Sequence, residues 1–392
     1  MTVKLYDSDS HLYTFQATVL RCDPDGSRFA VELDRTAFFP EGGGQYADTG
    51  KIGEASVLDV QETDNAILHF TDRALPVGTV VTGTLDSEKR FVRMQNHSGE
   101  HIVSGIIHRL YGLDNVGFHL GDGDMTVDYN GNLTRSDLDR VEAMANEAVA
   151  RNIPITAEYP DALTLETLSY RSKLDLTENV RIVTIGDIDC CACCAPHVSR
   201  TGEIGAIKLL DFEHYKGGVR IHLLCGAWAI GDYRIKYDNV QRISALLCVP
   251  QAETADAVER LLDSVKEKDY VLAGLRRRLA VCAMDNAGTD NCICFFADEA
   301  CDMDSLRHAV NLGMQRAVLC AGFLPADGGF RYCIGSATAD LRAQAKTINT
   351  ALNGRGGGQT SMIQGSCAAS TEDIMAFFKK WQLNKNVYCN DR

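Results

Sequence analysis

The chain has 392 residues, 45% of them hydrophobic and 23% charged, which is ordinary globular composition with length enough for two or three cores. A formal net charge of -14 weighs against broad, sequence-independent binding of nucleic acid, which needs Lys and Arg in quantity to neutralise phosphates. The opening MTVKLYDSDSHLYTF has no basic segment ahead of an apolar run, and no apolar stretch reaches the roughly 18–20 residues of a membrane span, so a cytoplasmic, non-membrane protein is expected.

Taken in order, the chain reads as α+β. Residues 1–85 carry short alternating segments such as RFAVELD and ASVLDVQE between Gly, Asp and Pro punctuation, the pattern of a small β-barrel interrupted by a glycine-rich loop at 41–45. Asp86 suits an N-cap for a helix running to Gly112, with Val92, Ile102, Val103, Ile106 and Leu110 at helical spacing. MTVDYN is strand-like, and residues 134–152 form an amphipathic helix with Leu138, Val141, Ala145 and Val149 on one face. Strand signals in VRIVTI, GAIKLL and VRIHLLCG complete an α+β core over 86–235. Over 236–290 a helical linker is expected. Val258, Leu261, Val265, Leu272, Leu275 and Leu279 repeat there at heptad-like spacing, as in a helical hairpin or a dimer seam. A last α/β domain, 291–392, holds a second glycine loop: Gly354, Arg355, Gly356, Gly357 and Gly358.

Local clusters that could meet RNA are Lys216, Arg220, the run Arg276 to Arg278, and Lys379, Lys380 and Lys385 near Trp381; taken singly, each is an ordinary solvated charge. Of the fifteen cysteines, Cys190, Cys191, Cys193 and Cys194 crowd together, which in a chain without an export signal points to metal or reduced thiols before disulfides.

The chemistry concentrates in two pairs. His97-Ser-Gly-Glu-His101 places two imidazoles four apart on a helix, on one face and close enough to share a metal. In Asp189-Cys-Cys-Ala-Cys-Cys-Ala-Pro-His197, Cys193 and His197 are again four apart, and thiolate with imidazole is a zinc donor set. Cys190 with Cys193 and Cys191 with Cys194 also form C-x-x-C pairs, which hold zinc or act as redox dithiols elsewhere. Glu100 makes His97 to His101 an H-x-x-E-H pattern as well, so a zinc peptidase with Glu100 as base is a rival reading.

Four stretches carry a resemblance: LDRTAFFPEGGGQYADTG at 33–50, RMQNHSGEHIVSGII at 93–107, VGFHLGDGDMTVDYN at 116–130 and CCAPHVSRTGEIGAIKLL at 193–210. In this order and spacing they resemble the alanyl-tRNA editing proteins of the AlaX type, in their long form, and the editing domain of alanyl-tRNA synthetase. The glycine segment GRGGGQTSMIQG is similar to that of the DHH-associated domain ending long-form members. The resemblance covers nearly the whole chain.

It implies a single zinc ion held by His97, His101, Cys193 and His197, and a substrate pocket formed by Thr36, Gly42, Gly43, Gly44 and Gln45, with Thr36 and Gln45 the catalytic candidates. The implied activity is hydrolysis of the ester that joins serine, or glycine, to alanine tRNA. A pocket built for alanine rejects these two poorly, so a second site must recognise the hydroxyl that alanine lacks, and Thr36 is its candidate. Four protein ligands would close a tetrahedral site, whereas catalytic zinc usually keeps one position open; either one ligand is loose or the metal mainly orients the substrate. Where the family has Cys-Gly-Gly-Thr-His, this chain has Cys193-Cys194-Ala195-Pro196-His197, which loses a backbone donor and gains a thiol. That departure, with the acidic charge, leaves a non-catalytic tRNA-binding protein as an alternative. The motifs begin within the first fifty residues, so no aminoacylation domain is expected ahead of them. Homodimerisation through the helical linker and last domain is a further expectation.

Overall fold

The computed structural model describes residues 2–63, 66–172, 180–287 and 291–383. Its chain contacts divide into two units, Met1–Gln241 and Arg242–Arg392. In the first, the strands are β1 (Val3–Lys4), β2 (Thr14–Asp25), β3 (Arg28–Leu33), β4 (Arg35–Thr36), β5 (Gly50–Ile52), β6 (Ala55–Glu62), β7 (Ile67–Thr71) and β8 (Val80–Leu85). Alternate residues of β2 point inward, and β2, β3, β7, β6, β5 and β8 close in that order into a barrel around Phe15, Val19, Val31, Leu33, Ile52 and Val60. Closure leaves these six strands no free edge. β1 lies parallel to β4, with Lys4 opposite Thr36.

Helix α1 (Ser87–Tyr111) begins where Asp86 caps it, its carboxylate accepting from Lys89 N at 3.1 Å, and ends at Gly112 in the left-handed region. It is buried on both faces. Ile102, Val103, Ile106 and Ile107 enter the main core, while His97, Glu100, His101 and Ser104 are buried with polar partners. There follow β9 (Asn115–Leu120), β10 (Met125–Tyr129), α2 (Arg135–Ala150), β11 (Ile155–Glu158), α3 (Ala162–Thr167), β12 (Ile182–Ile185), β13 (Asp189–Ala192), β14 (Ile207–Tyr215) and β15 (Gly218–Cys225). β14, β15, β10 and β9 form one antiparallel sheet, and β11, β12 and β13 another. Thr134 and Asp137 cap α2 reciprocally, which is why it starts there.

After α4 (Gly226–Leu247), the second unit holds α5 (Thr254–Asn286), β16 (Cys292–Phe296), α6 (Met303–Gly313), β17 (Leu319–Ala326), β18 (Gly329–Gly335), α7 (Leu341–Ala351), β19 (Gly354–Gly358), β20 (Met362–Cys367) and α8 (Thr371–Leu383). Its five-stranded sheet, order β16-β17-β18-β20-β19, has one core on the α5 and α6 side and a second on the α7 and α8 side. The heptad-spaced residues do share one helix, α5, and Leu261, Val265 and Leu272 on it are exposed. Among the described residues no helix is long and apolar enough to cross a membrane.

Candidate metal centre and its cavity

The two sequence pairs meet. The ligand atoms of His97, His101, Cys193 and His197 all lie within 4.8 Å of one another. Cys193 Sγ stands 3.5 Å from Nε2 of His97 and 3.5 Å from Nε2 of His197. A tetrahedral zinc with bonds of about 2.0–2.1 Å to nitrogen and 2.3 Å to sulfur sets such pairs about 3.6 Å apart, so the donor set fits the ion. Cys194 is outside the cluster; its thiol faces the glycine segment, 3.5 Å from where a Cβ on Gly43 would stand.

Each imidazole is held from behind through Nδ1, leaving Nε2 turned inward. His97 donates to Gln45 Oε1 at 2.9 Å, His101 to Asp189 Oδ2 at 2.9 Å, and His197 to Ser98 Oγ at 3.0 Å. Such outer partners fix the tautomer that ligation requires. Asp189 is gripped in turn by Arg171, whose Nε and Nη2 donate to its two oxygens at 2.7 and 2.8 Å. Gly105 makes this approach feasible: a Cβ there would lie 2.5 Å from Ile188 O and 2.8 Å from Asp189 Cβ.

The electrostatics favour the ligand forms of Cys193 and His197 and oppose that of His101. Burial alone would push the Cys193 thiol up, but the three surrounding histidines, His97 foremost, hold it well below the usual thiol range. Burial pushes His197 down to about 3. Burial also opposes charge on His101, yet Asp189 and the Cys193 thiolate hold it well above the ordinary imidazole range.

A cavity of about 720 Å³ opens beside the cluster, with His97, His101 and Cys193 on its wall. Lys4, Arg109, Arg171 and Arg181 bring positive charge to it, and Tyr159 and Tyr170 bring aromatic faces. Glu100, the base of the peptidase reading, also lines it but stands outside the ligand cluster; Ser104 Oγ and Asn115 Nδ2 both donate to its Oε1.

Similarity to known proteins agrees with this site. The model of the threonyl and alanyl tRNA synthetase second additional domain matches residues 180–222, which contain Cys193 and His197, and that of class II (A) tRNA synthetases matches 13–89. The chain is 34% identical to the alanyl-tRNA editing protein AlaX-L of Pyrococcus horikoshii, over 59% of each chain. The chain is a relative of the AlaX-type alanyl-tRNA editing proteins. It is also 32% identical to alanine–tRNA ligase of Halobacterium salinarum over 83% of this chain and 38% of the ligase, and 30% identical to that of Pyrococcus furiosus over 93% and 42%. It thus spans well under half the length of those two ligases.

The pocket segment expected from the AlaX resemblance is built differently from its ligands. Of its residues only Gly43 lines the cavity. Gly44, at φ +83°, must be glycine, since a Cβ would lie 2.6 Å from Phe118 O; Gly44 O accepts from Leu120 N, which fastens the segment to β9. Gln45 is fully buried, and its Nε2 has no hydrogen-bond partner among the described residues. Thr36 is fully buried too and is not on the cavity wall. His69 Nδ1–H donates to Val31 O at 3.1 Å, so its Nε2 accepts the Thr36 hydroxyl at 2.8 Å, while Phe38 N–H donates to Thr36 Oγ1 at 3.0 Å.

Gly354 to Gly358, read from sequence as a loop, is instead the edge strand β19 paired to β20. Glycine disfavours strands, but a Cβ on Gly356 would lie 2.3 Å from Gln364 O and 2.4 Å from the Tyr332 hydroxyl, so that position of the strand needs glycine. Of the expected RNA contacts, Arg220 is paired with Asp128 at 2.6 and 2.8 Å and stacked on Tyr215, Arg276 donates to Ala300 O, and Lys216, Lys379 and Lys380 are exposed. Lys385 lies outside the described residues. Arg171, Ser98 and Gly105 are the site residues that sequence reasoning missed; Arg171 lies 18 residues from Asp189 and Ser98 lies 99 from His197, and only the fold brings them together.

Proposed function

We propose that this chain is a zinc-dependent hydrolase that removes serine from mischarged alanine tRNA. The observation that carries the reading is the four-residue cluster beside a cavity lined by Lys4, Arg109, Arg171 and Arg181 as well as Glu100, Asp114 and Asp189, in a relative of AlaX-type editing proteins. His97, His101, Cys193 and His197 would hold the metal, which when bound supplies Lewis acidity toward the ester carbonyl or toward a water. A cavity of about 720 Å³ suits a terminal nucleoside with its amino acid and not a folded RNA, so the body of the tRNA would stay outside. Lys4 and Arg109 suit the terminal phosphates, and Tyr159 or Tyr170 offers a face for the adenine.

Gln45, holding His97 through its oxygen, would turn its spare amide N–H to the bound ester. Thr36 would serve the second sieve as an acceptor, because its own proton already goes to His69. A serine hydroxyl can donate to the remaining lone pair, and alanine has nothing to donate. Since Thr36 is buried and off the cavity wall, substrate would reach it only after the residues that cover it rearrange. Association of two copies through α5 would cover Leu261, Val265 and Leu272.

The test is release of labelled serine from Ser-tRNA(Ala), with Ala-tRNA(Ala) and a chelated sample as controls. Metal-dependent loss of serine with alanine spared is expected. A folded, zinc-loaded sample that binds the RNA without turnover would overturn the hydrolase and leave a tRNA-binding protein on an editing scaffold.

A further inference from the structure

Arg181, the residue before β12, is almost wholly buried, and its side chain performs an unusual task. A single nitrogen, Nη1, donates to two carbonyls, Cys193 O at 3.1 Å and Ala195 O at 2.8 Å. Cys193 N–H donates back to Arg181 O at 3.0 Å. The guanidinium is balanced by Asp7, 3.4 Å from Nε, and Asp7 also accepts the Tyr159 hydroxyl at 2.9 Å.

The turn between the ligands Cys193 and His197 needs such help. Pro196 has no N–H to anchor it, and Cys194, between the two clamped carbonyls, turns its thiol toward Gly42 and Gly43 and makes no contact that aims Cys193. Ala195, fully buried in the barrel core, fixes the far end. We propose that Arg181 is a positioning residue: by clamping the carbonyls on both sides of Cys194, it sets the direction in which the Cys193 thiolate enters the metal cluster. The proposal takes zinc from the functional reading above but needs no deacylation to be tested. Because Arg181 also lines the cavity, the competing role is a direct contact to the substrate phosphate.

The experiment compares full-length wild type, R181M and R181K. Zinc affinity is read by competition with a chromophoric chelator, the thiolate-to-cobalt charge-transfer band after cobalt(II) substitution, and KM and kcat on the mischarged tRNA. Positioning predicts that R181M loses roughly 10–100-fold in zinc affinity, the scale of outer-shell losses, and weakens or shifts the cobalt band. R181K should bind zinc nearly as wild type, because one ammonium can donate to both carbonyls as Nη1 does. R181M with unchanged zinc affinity and cobalt band, and only a raised KM, would overturn the proposal in favour of substrate contact. Should R181M not fold, R181K decides: near wild-type metal binding supports the clamp, and zinc binding weakened by 10-fold or more in folded protein refutes it. Wild type that shows the cobalt band yet releases no serine would refute the editing reading and leave this one standing.

Discussion

Replacing Asp189 by Asn tests whether the centre is built from the outside in. The carboxylate is buried and receives three donors: His101 Nδ1 at 2.9 Å and two from Arg171 at 2.7 and 2.8 Å. Asn keeps the shape but has one acceptor oxygen, and its amide N–H₂ must face either Arg171 or His101, donor against donor. One or two hydrogen bonds to a charged acceptor, each worth about 1.5–3 kcal/mol, are lost, and Arg171 keeps a largely buried charge without its counter-ion, for a total near the ~3–5 kcal/mol of a broken buried pair. If the amide instead donates to His101 Nδ1, the imidazole takes the tautomer whose Nε2 carries the proton and cannot ligate, so zinc affinity should fall about 10–100-fold. Denaturant unfolding of the chelated protein and chelator competition for zinc measure the two effects. Arg171→Met added to Asp189→Asn should recover part of the stability by removing the orphaned charge. D189N with stability within about 0.5 kcal/mol of wild type and undiminished zinc affinity would refute the whole account of the outer partners.

The same pair sets a pH dependence. Asp189 is held below the usual carboxylate range: burial opposes this, and the bonds from His101 and Arg171 overcome it. Its contribution to the chelated protein is present above the unfolded value of about 3.9 and is lost as pH falls through the depressed one. His101 is held high, so its contribution is complete below the unfolded value of about 6.5 and is lost as pH rises through the raised one. The stability gap between wild type and D189N should therefore be widest between about pH 4 and 6.5 and narrow in alkali; a gap that widens in alkali would contradict it. Zinc must displace the His101 proton while Cys193 and His197 already favour their ligand forms, so log affinity should rise with pH near neutrality with a slope of about one proton. A slope near three would show that the histidine and thiol forms are misassigned. Gly44→Ala meets both a positive φ and Phe118 O and should cost about 1–3 kcal/mol while raising KM; unchanged stability would mean the segment is not docked on β9. Thr36→Val leaves His69 Nε2 and Phe38 N–H without partners, costing about 1–3 kcal/mol, and in the editing reading it narrows the preference for serine over alanine. Selectivity retained in a folded T36V would remove Thr36 from the sieve.

What could be read in the sequence divides along physical range. The cap at Asp86 and the helix stop at Gly112 are local chemistry, and each stands where the residues put it. The four candidate ligands were legible because spacing of four on a helix and spacing of four across a turn are also local. The partners of those ligands were not. Arg171 lies 18 residues from Asp189 and Gln45 lies 52 from His97, and no periodicity links them. One glycine segment misled. Gly354 to Gly358 reads as a loop because glycine weakens strands, yet the crowding by Tyr332 and Gln364 selects glycine within one. Thr36 reads as a pocket residue, and its bond to His69 inside the barrel was not visible in the sequence.

His69 changes what Thr36 can do. Were the Thr36 hydroxyl free, it could donate to any acceptor, including a water left behind by alanine, and its discrimination would be weak. With Nδ1 of His69 tied to Val31 O and Nε2 taking the Thr36 proton, the hydroxyl offers only a lone pair, and burial keeps His69 neutral by pushing it down to about 4. A ligand must then bring its own donor. His69→Phe would free the hydroxyl to rotate and donate, so in the editing reading H69F should hydrolyse Ala-tRNA(Ala) faster relative to Ser-tRNA(Ala), while zinc content stays that of wild type. Equal selectivity in folded H69F would show that the polarity of the Thr36 hydroxyl is immaterial to the choice of substrate.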